Sequence, residues 1–298
     1  MTITGPGSIT NAVDVMVAES RFVMEERPGV IWDSISKEKL PLHKGRSVTI
    51  PKYGTLNTAP LTEGVDLTMA QEITDSAITI TPSEYGAKVV VTDVEMDTIR
   101  DDFWRVAGRL LGDSFNRQRE WVLCDDAPSF SVTGGSAGTA FNLGHAMAMF
   151  ASLQYNAPAA GVAGRGGEPA PTPIYAFMTP STAHSLKKTM VGGIGAAANT
   201  QVPPDLARTK LSEEFEAGGV MVKTTIHLSK DTSDDAVFPI MSEMAWIGVE
   251  HGGGPKAERQ RDASLRGEEI VFSGRWGRGE FNDSWGRAFT ADSALPTS

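Results

Sequence analysis

A serine flanked by glycines is the first place to look for chemistry. Gly134-Gly135-Ser136-Ala137-Gly138 fits G-x-S-x-G, the spacing at which a sharp strand-to-helix turn exposes a serine oxygen as a nucleophile. His251-Gly252-Gly253-Gly254 fits the glycine-rich loop that offers oxyanion N–H donors to such a serine. A serine hydrolase using Ser136 is therefore one reading. Its context opposes it twice. The residues before Gly134, APSFSVT, do not read as the buried strand that should feed the turn. The oxyanion loop also follows the serine in the chain, where that architecture places it before. In a chain with 31 glycines, both matches arise cheaply.

The other reactive residue types are dispersed. His43, His145, His184, His227 and His251 form no i, i+4 pair and no H-E-x-x-H, so no metal site is expected. Asp231, Asp234 and Asp235 lack calcium-loop spacing and read as a solvated turn. Cys124 is the one cysteine. It excludes a disulfide within the chain and a cysteine zinc cluster, and it reads as a small core residue at a helix end. No phosphate-binding glycine motif is present. Asn282-Asp283-Ser284 is a formal glycosylation sequon without meaning outside a secretory context. Arg165, Lys187, Lys188, Arg259, Arg261 and Arg266 lie among acids and read as a solvated surface. No catalytic residue, cofactor or metal is expected, and the chain does not read as an enzyme.

Composition narrows the classes further. The 298 residues carry a net charge of -10, with 40% hydrophobic and 21% charged residues. An acidic chain is poorly suited to gripping nucleic acid through its phosphates. The start, MTITGPGSITNAV, lacks the basic-then-apolar pattern of a signal peptide. No apolar run reaches the about 18 residues that suggest a membrane span. A soluble, cytoplasmic protein without membrane contact is expected.

The elements that would position these residues are of mixed α+β class. Thr2 to Ile9 reads as an arm. Asn11 to Glu26 reads as a helix with Val13, Met16, Val17, Val23 and Met24 near one face. Ile31 to Leu42 reads as irregular. Arg46 to Pro51 alternates like a half-buried strand. Two more strands, Ala77–Thr81 and Lys88–Asp93, flank the turn-like PSEYG, and the three together read as an extended antiparallel hairpin. Between Gly54 and Asp75 lies a patternless, acidic stretch that cannot build a core of its own. Thr92-Asp93-Val94-Glu95 fits a capping box before a helix reaching about Leu123. On that helix Ile99, Phe103, Val106, Leu110 and Trp121 mark an apolar stripe, with Arg100, Asp101, Arg105, Arg109, Asp113, Arg117 and Arg119 on the other side.

The remaining segments alternate helix, loop and strand. Asn142 to Tyr155 reads as a helix with Leu143, Met147 and Phe150 on one face. Ala157 to Pro173 reads as a loop. Ile174 to Met178 reads as a buried strand leading into a helix through about Met190, and Val191 to Pro204 as a small-residue loop. Leu211 to Phe215 reads as a turn of helix, Gly219 to Ile226 as a strand, and Phe238 to Glu250 as one or two strands. HGGGPKAERQRD reads as a polar loop. Glu269 to Ser273, Trp276, and Arg287 to Ala291 read as closing strands around a Gly-rich hairpin. An arm, an acidic hairpin, an exposed helix and small-residue loops expose more backbone and apolar surface than a monomer satisfies. They suit a chain completed by copies of itself.

PKYGTLNTAPLTEG, then ITITPSEYGAKVVVTDVEMD and a long helix, then FMTPSTAHSLKK and EEIVFSGRWGRGEFNDSWGRAFTADS, resemble the tailed-phage major capsid proteins of the Hong Kong 97 fold. The order of the pieces, over nearly the whole chain, carries the resemblance. It implies an N-terminal arm and helix (1–35) and an extended loop (36–92). A peripheral domain with a spine helix (93–135 and 242–298) and an axial domain (136–241) complete it. Thr62, Glu63, Gly64 and Asp66 would lie at the loop tip on a neighbouring subunit, and Gly192, Gly193 and Asn199 near the capsomer centre. The family implies hexamers and pentamers, then an icosahedral phage head, the virion shell, enclosing double-stranded DNA without sequence-specific binding. Assembly would take place in the host cytoplasm. A separate scaffolding protein, a portal and decoration proteins are implied partners. An encapsulin-like nanocompartment shares the fold and is the alternative of the same class. The serine hydrolase is the alternative of another.

Overall fold

The computed structural model describes residues 15–24, 29–41, 43, 45–54, 56, 61, 63–64, 72–73, 75–94, 103–155, 168–195, 214–252, 254–264 and 266–296. The masked parts of the arm, the 157–173 loop, the 191–204 loop and the 211–215 turn lie outside these residues.

Helix α1 (residues 15–24) buries Met16, Ser20 and Val23. It crosses the long helix α3 (Phe103–Asp125) at Gly108 and Gly112. A Cβ at either glycine would meet the α1 backbone, 2.6 Å from the Met16 carbonyl and 2.7 Å from that of Ser20. Two glycines one helical turn apart thus let the backbones touch. The short helix α2 (Val30–Ser34) occupies a stretch expected to be irregular. Its signal is tertiary. Its Gly29 cap has no side chain to offer, and the Glu120 carboxylate on α3 accepts from the Ile31 N–H at 3.0 Å. A side chain at Gly29 would collide with that carboxylate.

Strands form two sheets and a hairpin. The five-stranded sheet runs β1 (Ser36–Leu40), β10 (Trp246–His251), β12 (Gly267–Glu280) and β11 (Lys256–Asp262), with β4 (Ser83–Thr92) also on β12. Trp276 pairs with Ser83 on one side and Glu250 on the other. Strand β4 therefore holds one edge of β12, while β10 and β11 share the opposite edge. The six-stranded sheet is ordered β5 (Thr133–Gly135), β13 (Gly286–Asp292), β9 (Asp235–Ser242), β6 (Ile174–Met178), β8 (Val220–Thr224) and β7 (Phe215–Ala217). Strands β2 (Val48–Tyr53) and β3 (Asp75–Ile80) pair antiparallel as the hairpin.

Several sequence expectations are corrected. PSEYG is no turn: Ser83 to Gly86 open β4, which pairs with β12 rather than β3. HGGGPKAERQRD includes the edge strand β11, whose charges suit an exposed edge. The expected Gly-rich hairpin between the closing strands is absent there: Gly274 to Gly279 belong to the second half of the continuous strand β12. Its glycines sit where neighbours press: Gly274 against Phe115, Gly277 against Pro82, and Gly279 against Ile80. Phe215 opens β7 instead of closing a helical turn.

The main core lies between the six-stranded sheet and helices α4 (Leu143–Gln154) and α5 (Pro180–Gly195). Phe141, Phe238 and Phe289 meet within it, the first two edge-to-face at 5.3 Å. Asn142 caps α4 by accepting from the His145 N–H at 2.9 Å. Its buried side is Ala146 and Leu153, and the expected Met147 is exposed. The end of α3 enters this core through Leu123 and Cys124, as the cysteine expectation had it. A second core joins α1 and α3 to the five-stranded sheet through Met16, Leu111, Phe115, Ile270 and Phe272.

Candidate assembly surfaces

Among the described residues, the hairpin packs at its base and not beyond. Val48, Ile50 and Ile78 pack on a cluster of Leu40, Ile80, Ile247 and Val249. The Lys52 ammonium lies over the Phe281 ring, 5.9 Å from its centroid. Past this base, Tyr53, Leu56, Leu61 and Ile73 are all exposed, Leu61 at 75%. Glu63 and Gly64 form an exposed turn, with Gly64 at φ 81 and no atom within 4 Å of a Cβ placed there. Thr62 and Asp66 lie outside the described residues, as does Asn199. Gly192 and Gly193 do not belong to a loop: they fall in the last turns of α5, which runs past the expected end to Gly195. Glycine weakens a helix by about 1 kcal/mol without stopping it.

A second uncovered surface lies on α3. The stripe of Val106, Leu110 and Trp121 is exposed, Leu110 at 64%. The buried face is offset from it and consists of Ala107, Leu111, Phe115, Asn116, Arg119, Glu120, Leu123 and Cys124. The helix thus has two apolar faces, and among the described residues one of them meets this chain's own core. Cations flank the outer one. Arg109 pairs with Glu19 of α1 at 2.6 Å, Arg105 approaches the same carboxylate at 3.8 Å, and Arg117 is exposed.

Arg119, expected among the exposed arginines, is buried at 3%. Its guanidinium donates to Glu250 at 2.5 Å and to Asn116, and lies 4.9 Å from the centre of the Trp32 ring. Burial lowers its pKa, opposed by Glu250 and Glu120. Burial also raises the pKa of Glu120, although amides of α2 hold its carboxylate, and pushes the Cys124 thiol up. Arg119, Glu250 and Trp32 border a cleft of about 490 Å3 that Arg21, Lys37, Arg275 and His251 also line.

The hydrolase geometry is not assembled. Ser136 follows β5, a three-residue strand at the sheet edge, and its Oγ lies 2.9 Å from the Thr139 hydroxyl. His251 ends β10 in the other sheet. Among the described residues, no group of three or more His, Cys, Asp or Glu could hold a metal ion. Among them too, no helix is long and apolar enough to cross a membrane.

No family model and no curated protein sequence matches this chain. Solved structures do. The capsid of cyanophage P-SCSP1u is 14% identical with a TM-score of 0.63, over 90% of this chain and 89% of that one. The acid-stable capsid structure of Helicobacter pylori bacteriophage KHP30 is 9% identical with a TM-score of 0.65, over 86% of each chain. The capsid of Ralstonia phage GP4 is 13% identical with a TM-score of 0.63, over 89% and 88%. This chain has the fold of these phage capsid structures.

Proposed function

We propose that this chain is a tailed-phage major capsid protein. Its copies build the hexamers and pentamers of an icosahedral head that encloses double-stranded DNA. The observation that carries this reading is the hairpin: on a fold shared with phage capsids, it holds exposed apolar side chains past the end of its own core. Tyr53, Leu56, Leu61 and Ile73 need a partner surface, and the outer stripe of α3 on the next copy is one of matching chemistry. Glu63, Glu72 and Asp75 of the hairpin complement Arg105, Arg109 and Arg117 beside that stripe. A contact between two different surfaces propagates from copy to copy and closes into rings when its rotation allows.

Residues 36–92 are then the extended loop and 1–35 the arm and helix. Residues 93–135 with 242–298 form the peripheral domain and 136–241 the axial domain, with α5 leading toward the capsomer centre. The net charge of -10 suits a shell that confines DNA without holding it tightly. Scaffolding, portal and decoration proteins are the expected partners. The head is assembled in the host cytoplasm.

Electron microscopy of the purified protein, alone and with a candidate scaffold, tests this reading. Closed shells, capsomers, sheets or tubes support it. A uniform monomer or dimer under every condition overturns it. DNA in the particles separates a phage head from an enzyme-filled nanocompartment.

A further inference from the structure

Helix α3 and the six-stranded sheet are joined by an exposed indole–imidazole contact. The Trp121 indole N–H donates to His227 Nδ1 at 3.0 Å, with the rings edge-on and 6.1 Å apart. His227 sits in the β8–β9 loop, its own N–H on the Thr225 hydroxyl at 3.3 Å. Thr225 is buried and makes a second, inner attachment. Its N–H donates to the Met178 carbonyl at 2.9 Å, and its side chain lies beside Glu120 and Cys124 of α3. The loop therefore meets α3 at two depths.

The outer contact requires one protonation state. An indole nitrogen can only donate, so His227 Nδ1 must carry a lone pair. A proton added there would set two donors face to face. Among the described residues, the charged groups lining the cleft with His227 are Asp113, Arg117 and Glu120, all on α3, while α2 and its cap bring Val30 and Gly29. Glu120 accepts from the Ile31 N–H of α2 with both carboxylate oxygens. Arg117 opposes an imidazolium.

We propose that Trp121 and His227 form an acid-released latch. At neutral pH it pins Ile226 and His227 to α3. Protonation of His227 frees these two residues and the indole, while Thr225 and the buried Leu228 keep the inner attachment. Partial burial, then Arg117, lowers the His227 pKa from its ordinary 6.5. The released imidazole thus takes up a proton more readily than the latched one. The contact is complete above pH 6.5 and lost as pH falls through the lower latched value. The latch belongs to the single chain and stands apart from the assembly reading. Its release would also unpin the Trp121 end of the outer α3 stripe, next to exposed Ile226.

The test follows the indole N–H resonance of Trp121 in the unassembled full-length chain, labelled with 15N-tryptophan and identified by its loss in Trp121→Phe. It should titrate with a midpoint below 6.5, and amide exchange at 226–227 should quicken by about fivefold across the same range. In His227→Gln, whose amide oxygen accepts at every pH, the indole should no longer titrate. A flat wild-type signal, or the same titration in His227→Gln, overturns the latch. Both side chains reach solvent, so both variants should fold.

Discussion

Single side chains that reach across the sequence set the local structure of the peripheral half. Glu120 caps a helix that begins at Val30, and Arg119 beside it neutralises Glu250 from a buried position. Removing one partner of a buried ion pair costs about 3–5 kcal/mol when the other stays buried. Glu250 is 40% exposed and can rehydrate, so Arg119→Ala should fall near the low end, about 3 kcal/mol, in denaturant unfolding. Gly112→Val would push a side chain into the Ser20 carbonyl and Val23. It should cost about 1–3 kcal/mol by overpacking, visible as a fall in Tm, whereas Gly64→Ala, in open space at the hairpin turn, pays only the strain of its positive φ. Little of this was legible. Arg119 stands in a row of arginines at helical spacing, and nothing local separates it from Arg117. Its partner Glu250 lies 131 positions away.

At the scale of elements, long periodic segments were readable and short tertiary ones were not. The α3, α4 and α5 helices, the buried β6 strand and the β2–β3 hairpin all follow from spacing. The failures share a cause. Strands β1 and β11 are short or charged and gain strand form from pairing with β10 and β12. The glycines of β12 mimic a turn because neighbouring side chains and backbone occupy the space a Cβ would need. On α3 the period was right and the face was wrong: a helix apolar on two sides gives no local sign of which side is its own core. Paired substitutions separate the faces. Leu110→Asp should change stability by no more than about 0.5 kcal/mol yet block particle formation. Leu111→Asp, one position on and buried, should prevent stable folding. Thermal unfolding and electron microscopy on the same two proteins read both outcomes. If Leu110→Asp assembled normally, the outer stripe would not be a subunit contact.

For the whole molecule, the described residues bury three apolar clusters and leave the outer end of the hairpin and the outer α3 face uncovered among themselves. The sequence made the first visible through its patternless acidic stretch. The second stayed hidden, because an exposed apolar stripe and a buried one look alike in one dimension. Deleting residues 57–71 removes the tip and leaves the hairpin base on Ile247 and Val249. The product should be a soluble subunit with unchanged thermal stability that forms no stable shells. Normal particles from it would rule out the interlocking role. The attachment of this hairpin also has a mechanical meaning. Strand β3, whose Ile80 packs on Gly279, passes through Thr81 and Pro82 into the 10-residue strand β4, which runs along one edge of β12 with Ser83 against Trp276. A tug on the tip therefore pulls β4 lengthwise along β12. Ladder hydrogen bonds lie across that direction, so they resist together as a lap joint does, instead of peeling one by one. Tension between neighbours would be passed from tip to sheet along a single seam.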